Sequence, residues 1–353
     1  MDVRLRRSRI NLRVPMHGAS EIGEARRRAS RLARENGFAE ARVAKLALVA
    51  SELATNVVRH TRGGDLLFQA LESSEAAMIE ILAVDSGPGM AEPARCMQDG
   101  YSTRGTSGTG LGAVRRQSDE FDLYSDPDRG TVVMSRIASH ALSQHSEAGV
   151  RFGAIAVPHP KETVSGDCWQ LYPLPNRQWL LSVVDGLGHG IGAADAADAV
   201  DRALTAPIES PESFLRAADE ALKGTRGAAV GCALLDLTQR SVRFAGVGNI
   251  AGCVVFGESA RGLMSQHGTL GLGARTGMPG VGTRRIQEVL QPFPPGAFLV
   301  MHSDGLQTRW DLRKYAGLGS AHPALIAGVL WRDFDRRNDD ATVVVIGAEP
   351  SSY

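Results

Sequence analysis

The sequence predicts an α+β protein of two domains, residues 1–138 and 150–353, joined by a linker at 139–149. Three observations carry that expectation. At 353 residues the chain is longer than one hydrophobic core usually organises. Strand-like and helix-like periodicities occur in both halves. The halves also differ in chemistry: glycine-rich loops mark the first, and aspartates at the ends of apolar strands mark the second.

Residues 3–14 alternate and end in Ile10-Asn11-Leu12-Arg13-Val14, the pattern of a half-buried strand that stops at Pro15. Ser20 reads as the cap of a helix that ends at Asn36-Gly37. Over 39–60, Val43, Leu46, Ala50, Leu53 and Val57 fall on one helical face. Glu52 and Asn56 lie one turn apart at its edge. Asn56 offers a hard oxygen to magnesium, and Glu52 can orient or deprotonate a hydroxyl. Taken alone, the pair reads as two solvent-facing polar residues.

Strands are expected at 66–71 and 78–84. The second delivers Asp85 to the turn Asp85-Ser86-Gly87-Pro88-Gly89-Met90. A second cluster, Gly105-Thr106-Ser107-Gly108-Thr109-Gly110-Leu111-Gly112, leads into a helix expected over 111–121. Glycines let backbone approach phosphate, and the helix start presents free N–H groups to it. Asp85 is placed to accept from the exocyclic amine of adenine. A strand at 122–124, a turn at Pro127-Asp128-Arg129-Gly130 and a strand at 131–137 complete the half.

Glu52-Leu53-Ala54-Thr55-Asn56, Asp85-Ser86-Gly87-Pro88-Gly89 and Gly108-Thr109-Gly110-Leu111-Gly112 resemble, in order and spacing, the N, G1 and G2 boxes of the GHKL ATPase superfamily. Met97-Gln98-Asp99-Gly100-Tyr101-Ser102-Thr103 narrows the resemblance to switch kinases of the RsbT type. The resemblance implies a Bergerat-type α/β sandwich that binds ATP and Mg2+. Adenine would sit on Asp85 and magnesium on Asn56. Gly87 and Gly89, and Gly108, Thr109, Gly110, Leu111 and Gly112, would line the nucleotide. Ser102 and Thr103 would lie in the lid at 99–107. No phosphoacceptor-histidine helix pair precedes the boxes, which disfavours a sensor histidine kinase.

In the second half, strands are expected at 150–157, 178–184, 298–302 and 343–346, with a helix at 191–204. Segments 228–237, 242–247 and 251–256 read as consecutive antiparallel strands. Asp167, Asp185, Asp304 and Asp339 stand beside small residues or at strand ends. Clustered carboxylates repel one another and need cations. A set without His or Cys favours magnesium or manganese, and two such ions can acidify a shared water.

Ser165-Gly166-Asp167, Val184-Asp185-Gly186-Leu187-Gly188-His189-Gly190, Val247-Gly248-Asn249, Ser303-Asp304-Gly305 and Asp339-Asp340-Ala341-Thr342 resemble the motifs of PPM-family phosphatases, in the branch of the sporulation phosphatase and RsbX. The resemblance implies an αββα sandwich over about 149–349 and two Mn2+ or Mg2+. Asp185 would bridge both ions, with the Gly186 carbonyl on one and Asp304 and Asp339 on the other. Asp167 would hold water, and Asp340 would point away. Larger members carry a phosphate-binding arginine before the first aspartate, where this chain offers Lys161. They also carry a histidine where this chain has Leu187. His189 is either a proton donor to the leaving group or a helix cap.

With 39 basic and 39 acidic residues, nothing favours nucleic acid or membrane as a partner. Cys96, Cys168, Cys232 and Cys253 form no CxxC pair, and no apolar run is long enough for a bilayer, so a cytoplasmic location is expected. Cys168 and Trp169 are expected to pack the sandwich. The combined expectation is a switch kinase fused to an opposing phosphatase, both acting on STAS-domain antagonist or scaffold proteins. A downstream phosphatase or a sigma-factor regulator is a further expected partner. The alternative is a phosphatase whose first half binds ATP without transferring phosphate and serves as a nucleotide-gated, anti-sigma-like partner-binding module.

Overall fold

The computed structural model describes residues 11–72, 76–97, 110–141, 149–201, 204, 208–272 and 285–348. The chain forms two compact units. One contains Asn11–His145 together with Leu312–Arg332; the other contains Ser146–Asp311 and Asp333–Tyr353.

The first unit is built on β1 (Leu12–Met16), α1 (Ala19–Glu35), α2 (Glu40–His60), β2 (Gly64–Glu72), β3 (Ala77–Asp85), α3 (Pro93–Cys96), α4 (Gly110–Gln117), β4 (Glu120–Asp126) and β5 (Gly130–Ala138). Its strands form one antiparallel sheet in the order β1-β2-β3-β5-β4. Ile79, Ile81 and Ala83 of β3 face a core filled by Val43, Leu46, Ala50, Leu53 and Val57 of α2. The intervening Leu82 and Val84 are buried too. Burial on both faces explains why β3 reads as an apolar run rather than an alternation.

Pro15 does not stop β1. It lies within the strand opposite Asp65, and β1 is an edge strand, where a missing N–H costs no ladder bond. The cap of α1 is Gly18, not Ser20: its N–H donates to Glu21 Oε2 at 2.8 Å. Helix α4 is shorter than expected, because Phe121 belongs to β4 opposite Ser135. Residues 3–10 and most of the expected linker, 142–148, lie outside the described residues.

The second unit contains β6 (Val150–Val157), β7 (Asp167–Leu174), β8 (Gln178–Gly186), α5 (Ile191–Asp201), α6 (Pro211–Ala221), β9 (Ala228–Asp236), β10 (Ser241–Val247), β11 (Ala251–Phe256), β12 (Ser259–Met264), β13 (Val289–Pro292), β14 (Phe298–His302) and β15 (Ala341–Ala348). Two five-stranded sheets, β13-β10-β9-β8-β7 and β12-β11-β14-β15-β6, lie face to face. Phe152 of β6 meets Trp169 of β7 at 5.8 Å between ring centroids. A Cβ on Gly231 of β9 would fall 3.1 Å from Met301 of β14. Cys168 and Trp169 are both buried, as expected. Helices α5 and α6 cover the outer face of the first of these sheets through Ala196, Val200, Phe214 and Leu215. The run from β9 to β11 is not one meander: β9 and β10 pair, but β11 crosses to the other sheet and pairs with β12 and β14.

The twelve-residue α7 (Pro323–Phe334) lies between β14 and β15 in sequence, yet up to Arg332 it packs with the first unit. The His322 N–H donates to Asp122 Oδ2 at 2.9 Å, and Gly328 fits against Val132. Arg13 lies over the Trp331 ring at 5.6 Å.

Candidate active sites

In the first unit, α2 holds Glu52 and Asn56 partly buried at the edge of its apolar face. Asn56 Nδ2 is buried and, among the described residues, has no hydrogen-bond partner. A Cβ on Gly110, at the start of α4, would stand 3.3 Å from Asn56 Oδ1 and 3.4 Å from Glu52 Oε2. The absent side chain leaves backbone beside both polar groups. Leu111 packs against the core, and Gly112 is buried.

At the end of β3, Asp85 is buried, and its Oδ1 accepts from the Gly87 N–H at 2.8 Å. Burial pushes its carboxyl up; the Gly87 and Thr131 N–H groups and the Arg332 charge oppose that rise. The turn after it rests on the β4–β5 hairpin. Gly89 has φ of 66°, and a Cβ there would meet the Asp126 carbonyl at 2.3 Å, so glycine is required by both strain and space. Met90 N–H donates to Ser125 Oγ, and Asp128 N–H to the Pro88 carbonyl. Glu52, Asn56, Gly110, Asp85, Gly87 and Gly89 thus stand in one unit around the start of α4 and the end of β3. Ser102, Thr103, Gly108 and Thr109 lie outside the described residues. An orphaned buried amide beside bare glycine backbone suits a nucleotide with its magnesium: Asn56 Oδ1 is a hard ligand, and glycine admits phosphate.

In the second unit, Asp167 and Asp185 face each other across β7 and β8. Asp167 is buried; desolvation, then the Asp185 charge, push its carboxyl well above the ordinary range, against a hydrogen bond from Ser303 Oγ at 2.5 Å. Burial, then the Asp304 charge, push Asp185 up to about 7. Asn249, at the end of β10, donates from Nδ2 to Asp185 Oδ2 and to Asp304 Oδ2, each at 2.8 Å. Among the described residues no three acidic or histidine side chains close on one point. The amide stands between two carboxylates that would otherwise repel.

Gly186 is bonded through its N–H to the Gly166 carbonyl, and a Cβ on it would strike the Ala193 carbonyl at 2.3 Å, which seats α5 against the site. Asp339 is partly exposed and accepts from the Asp340 N–H at 2.9 Å. Asp340 is buried, and its two oxygens accept from His159 N–H at 2.7 Å and Gly166 N–H at 2.8 Å. It clamps two loops together, and its charge also raises Asp167 and Asp185. His189 is exposed, bonded through Nδ1 to Glu162 Oε1 at 2.8 Å, and stacked on His159 at 5.2 Å. Lys161 is exposed. The donor chemistry fits hard divalent cations: carboxylates, those of Asp167 and Asp185 raised by burial and by neighbouring charge, and no thiolate among them.

Asn249 and Ser303 were quoted in motifs but given no role by sequence reasoning. An asparagine two residues past a buried strand, in a chain with aspartates at other strand ends, was the available signal. Glu162, at 27 residues from His189 in sequence, left none.

The first unit thus carries a nucleotide-type candidate site on a five-stranded sheet, and the second a carboxylate candidate site on a two-sheet sandwich. Residues 18–136 match the model described as histidine kinase-like ATPase domain, and residues 175–349 match Stage II sporulation protein E (SpoIIE). Over 115 residues the chain is 33% identical to serine/threonine-protein kinase RsbT of Bacillus subtilis, which is 33% of this chain and 86% of that protein. A solved chain from work on the bacterial stressosome is 23% identical with a TM-score of 0.50, covering 56% of this chain and 98% of its own. RsbX in complex with magnesium is 19% identical with a TM-score of 0.45, over 58% and 97%. Through its first part the chain belongs to the family of RsbT and carries a histidine kinase-like ATPase domain; its second part is similar to the SpoIIE family. Among the described residues no helix is long and apolar enough to cross a membrane.

Proposed function

We propose that this chain is a bifunctional switch enzyme of a bacterial, cytoplasmic partner-switching module. Its first half, about residues 1–138, phosphorylates serine or threonine on a STAS-domain antagonist or scaffold protein; its second, about 150–353, removes that phosphate. The observation that carries the reading is the Glu52–Asn56–Gly110 cluster, with its unpartnered amide, in the same chain as the Asp167–Asp185–Asn249–Asp304 set.

In the kinase step, Asp85 holds the adenine amine, and Gly87, Gly89 and Gly110 leave space for the nucleotide. Asn56 would hold Mg2+ through Oδ1. Glu52 accepts the proton of the attacking hydroxyl. In the phosphatase step, Asp185, the Gly186 carbonyl, Asp304 and Asp339 would hold two Mn2+ or Mg2+. Such ions, when bound, supply positive charge and an acidified water. Asp167, fixed by Ser303, orients that water. His189, oriented by Glu162, gives a proton to the departing serine or threonine oxygen. Holding opposing activities on one chain keeps both at one effective concentration around a shared substrate.

The test is transfer of radiolabelled γ-phosphate from magnesium-ATP to a STAS-domain protein, followed by manganese. Label that appears on the protein and is then released as inorganic phosphate supports both activities. If pre-phosphorylated substrate is cleaved but label never appears on it, the first half is a nucleotide-binding regulator and not a kinase.

A further inference from the structure

The nucleotide-type site draws on a residue that neither glycine box contains. Arg332 is the last residue of α7 to pack with the first unit, and it is buried. Its Nη1 donates to the Asp85 carbonyl at 3.2 Å. The carbonyl is reachable because Gly130 lies against it: a Cβ on Gly130 would stand 2.1 Å from that oxygen. Asp85 is therefore gripped at both ends. Gly87 N–H holds its side chain, and Arg332 holds its backbone carbonyl. The rest of α7 and the residue before it are committed to the same sheet, through His322 on Asp122, Gly328 on Val132 and Trp331 under Arg13. Tyr315, in the same segment, lies under Arg129 at 4.8 Å.

We propose that Arg332 is a positioning residue for nucleotide recognition, delivered to Asp85 by the stretch of chain that joins Asp304 to Asp339. The proposal rests on the kinase-half reading above. A fixed Asp85 carboxylate accepts from a ligand amine and rejects a ligand carbonyl at the same place. The buried guanidinium fixes the strand end that aims it, and its charge, with the Gly87 and Thr131 N–H groups, opposes the rise that burial imposes on the carboxyl. Adenine over a 6-oxopurine is the preference this arrangement builds.

Its location has a second consequence. Two residues after Arg332, the Phe334 carbonyl accepts from Gln307 N–H, and Arg336 N–H donates to the Gly305 carbonyl beside Asp304. The residue that braces the adenine acceptor is thus separated by a few bonds of backbone from a segment tied next to a candidate metal carboxylate.

The experiment is equilibrium titration of the full-length chain with magnesium-ADP and magnesium-IDP, with thermal melting alongside. Wild type is expected to prefer ADP. Arg332→Met is expected to lose about ten-fold or more in ADP affinity, with IDP affinity nearly unchanged and the melting midpoint shifted far less than the preference. Arg332→Lys, which keeps the charge, is expected to recover most of the preference. If Arg332→Met does not fold, Arg332→Gln keeps a donor to the carbonyl while removing the charge, and it too is expected to lose the preference. ADP and IDP affinities that are unchanged, or that fall equally and together with the melting midpoint, overturn the proposal. A wild-type chain that binds neither nucleotide overturns the kinase-half reading as well, an outcome distinct from a wild type that binds ADP and variants that bind it equally.

Discussion

Asn56 and Asn249 are the same side chain put to opposite uses. Asn56 Nδ2 is buried with no partner among the described residues, whereas Asn249 Nδ2 is shared by two carboxylates. The first site keeps a polar group unsatisfied beside bare glycine, so a ligand completes it. The second gathers like charges and uses an amide to separate them, so a cation relieves it. Function is stored as a missing hydrogen bond in one unit and as electrostatic repulsion in the other.

The largest expected effects break the repulsive site. Asp185→Asn removes the carboxylate proposed to serve both ions, and phosphatase activity should fall by more than about 100-fold, beyond the loss typical of residues that only support a metal ligand. The same substitution should stabilise the metal-free protein. Asp185 rises from an ordinary 3.8 to about 7 in the folded state. Between those values the folded chain holds a proton that the unfolded chain has lost. Its contribution to stability is intact below the lower value and is lost as pH climbs through the higher one. That rise corresponds to ~4 kcal/mol as an upper bound. In EDTA, the wild-type melting midpoint should drop between pH 5 and pH 8 (about the range spanned by the shift), and Asp185→Asn should flatten that slope. Manganese should restore the wild type at the upper end. A wild-type midpoint in EDTA that stays flat or rises there breaks the comparison.

On the other side, Glu52→Ala should lower phosphoryl transfer by about 10²- to 10⁴-fold, the usual worth of a positioned base, and leave magnesium-ADP affinity near that of wild type. Transfer that persists at the wild-type rate removes Glu52 from the mechanism.

Asn249→Ala ranks below both. Without the amide, Asp185 and Asp304 face each other with nothing between them. Manganese affinity should change by about 10- to 100-fold, as for other residues that orient metal ligands. Calorimetric titration with manganese reads it directly.

Much of the fold and both sites were legible because their signals are local. The stripe Val43–Leu46–Ala50–Leu53–Val57, the Asp85 turn and the strand-end aspartates each stand within a few residues. What was missed is non-local or ambiguous. Helix α7 is apolar on nearly every side, so it carries no period to separate a helix from a short buried run. That the chain around it joins the first unit depends on contacts such as His322 with Asp122, 200 residues apart. Helix α6 had a readable start in Ser210-Pro211, where Ser210 Oγ accepts from Ser213 N–H. Strand β7 starts at Asp167 directly after Gly166, where the sequence looks like a turn, and only pairing with β8 makes it a strand. The Asn249 bridge needed β8, β10 and β14 to end at one place, which no single stretch of sequence displays.

The smallest expected effect is the sharpest test of the opening contrast. Asn56→Ala removes a buried donor that has no partner among the described residues, so the metal-free, nucleotide-free protein should lose little. Ordinary truncation of a bonded buried polar group costs about 1–3 kcal/mol, because a partner is left unsatisfied. Here no described partner of Nδ2 exists to be left, and the change in unfolding free energy should stay within about 1 kcal/mol of zero. Magnesium-ADP binding should nevertheless be lost or severely weakened. Asn249→Ala under the same conditions should destabilise, since it strips two carboxylates of their shared donor. Chemical denaturation of both variants in EDTA compares them on one scale. Equal destabilisation would mean that Asn56, like Asn249, is a structural amide, and the nucleotide site would lose the feature that most clearly marks it as built for a ligand.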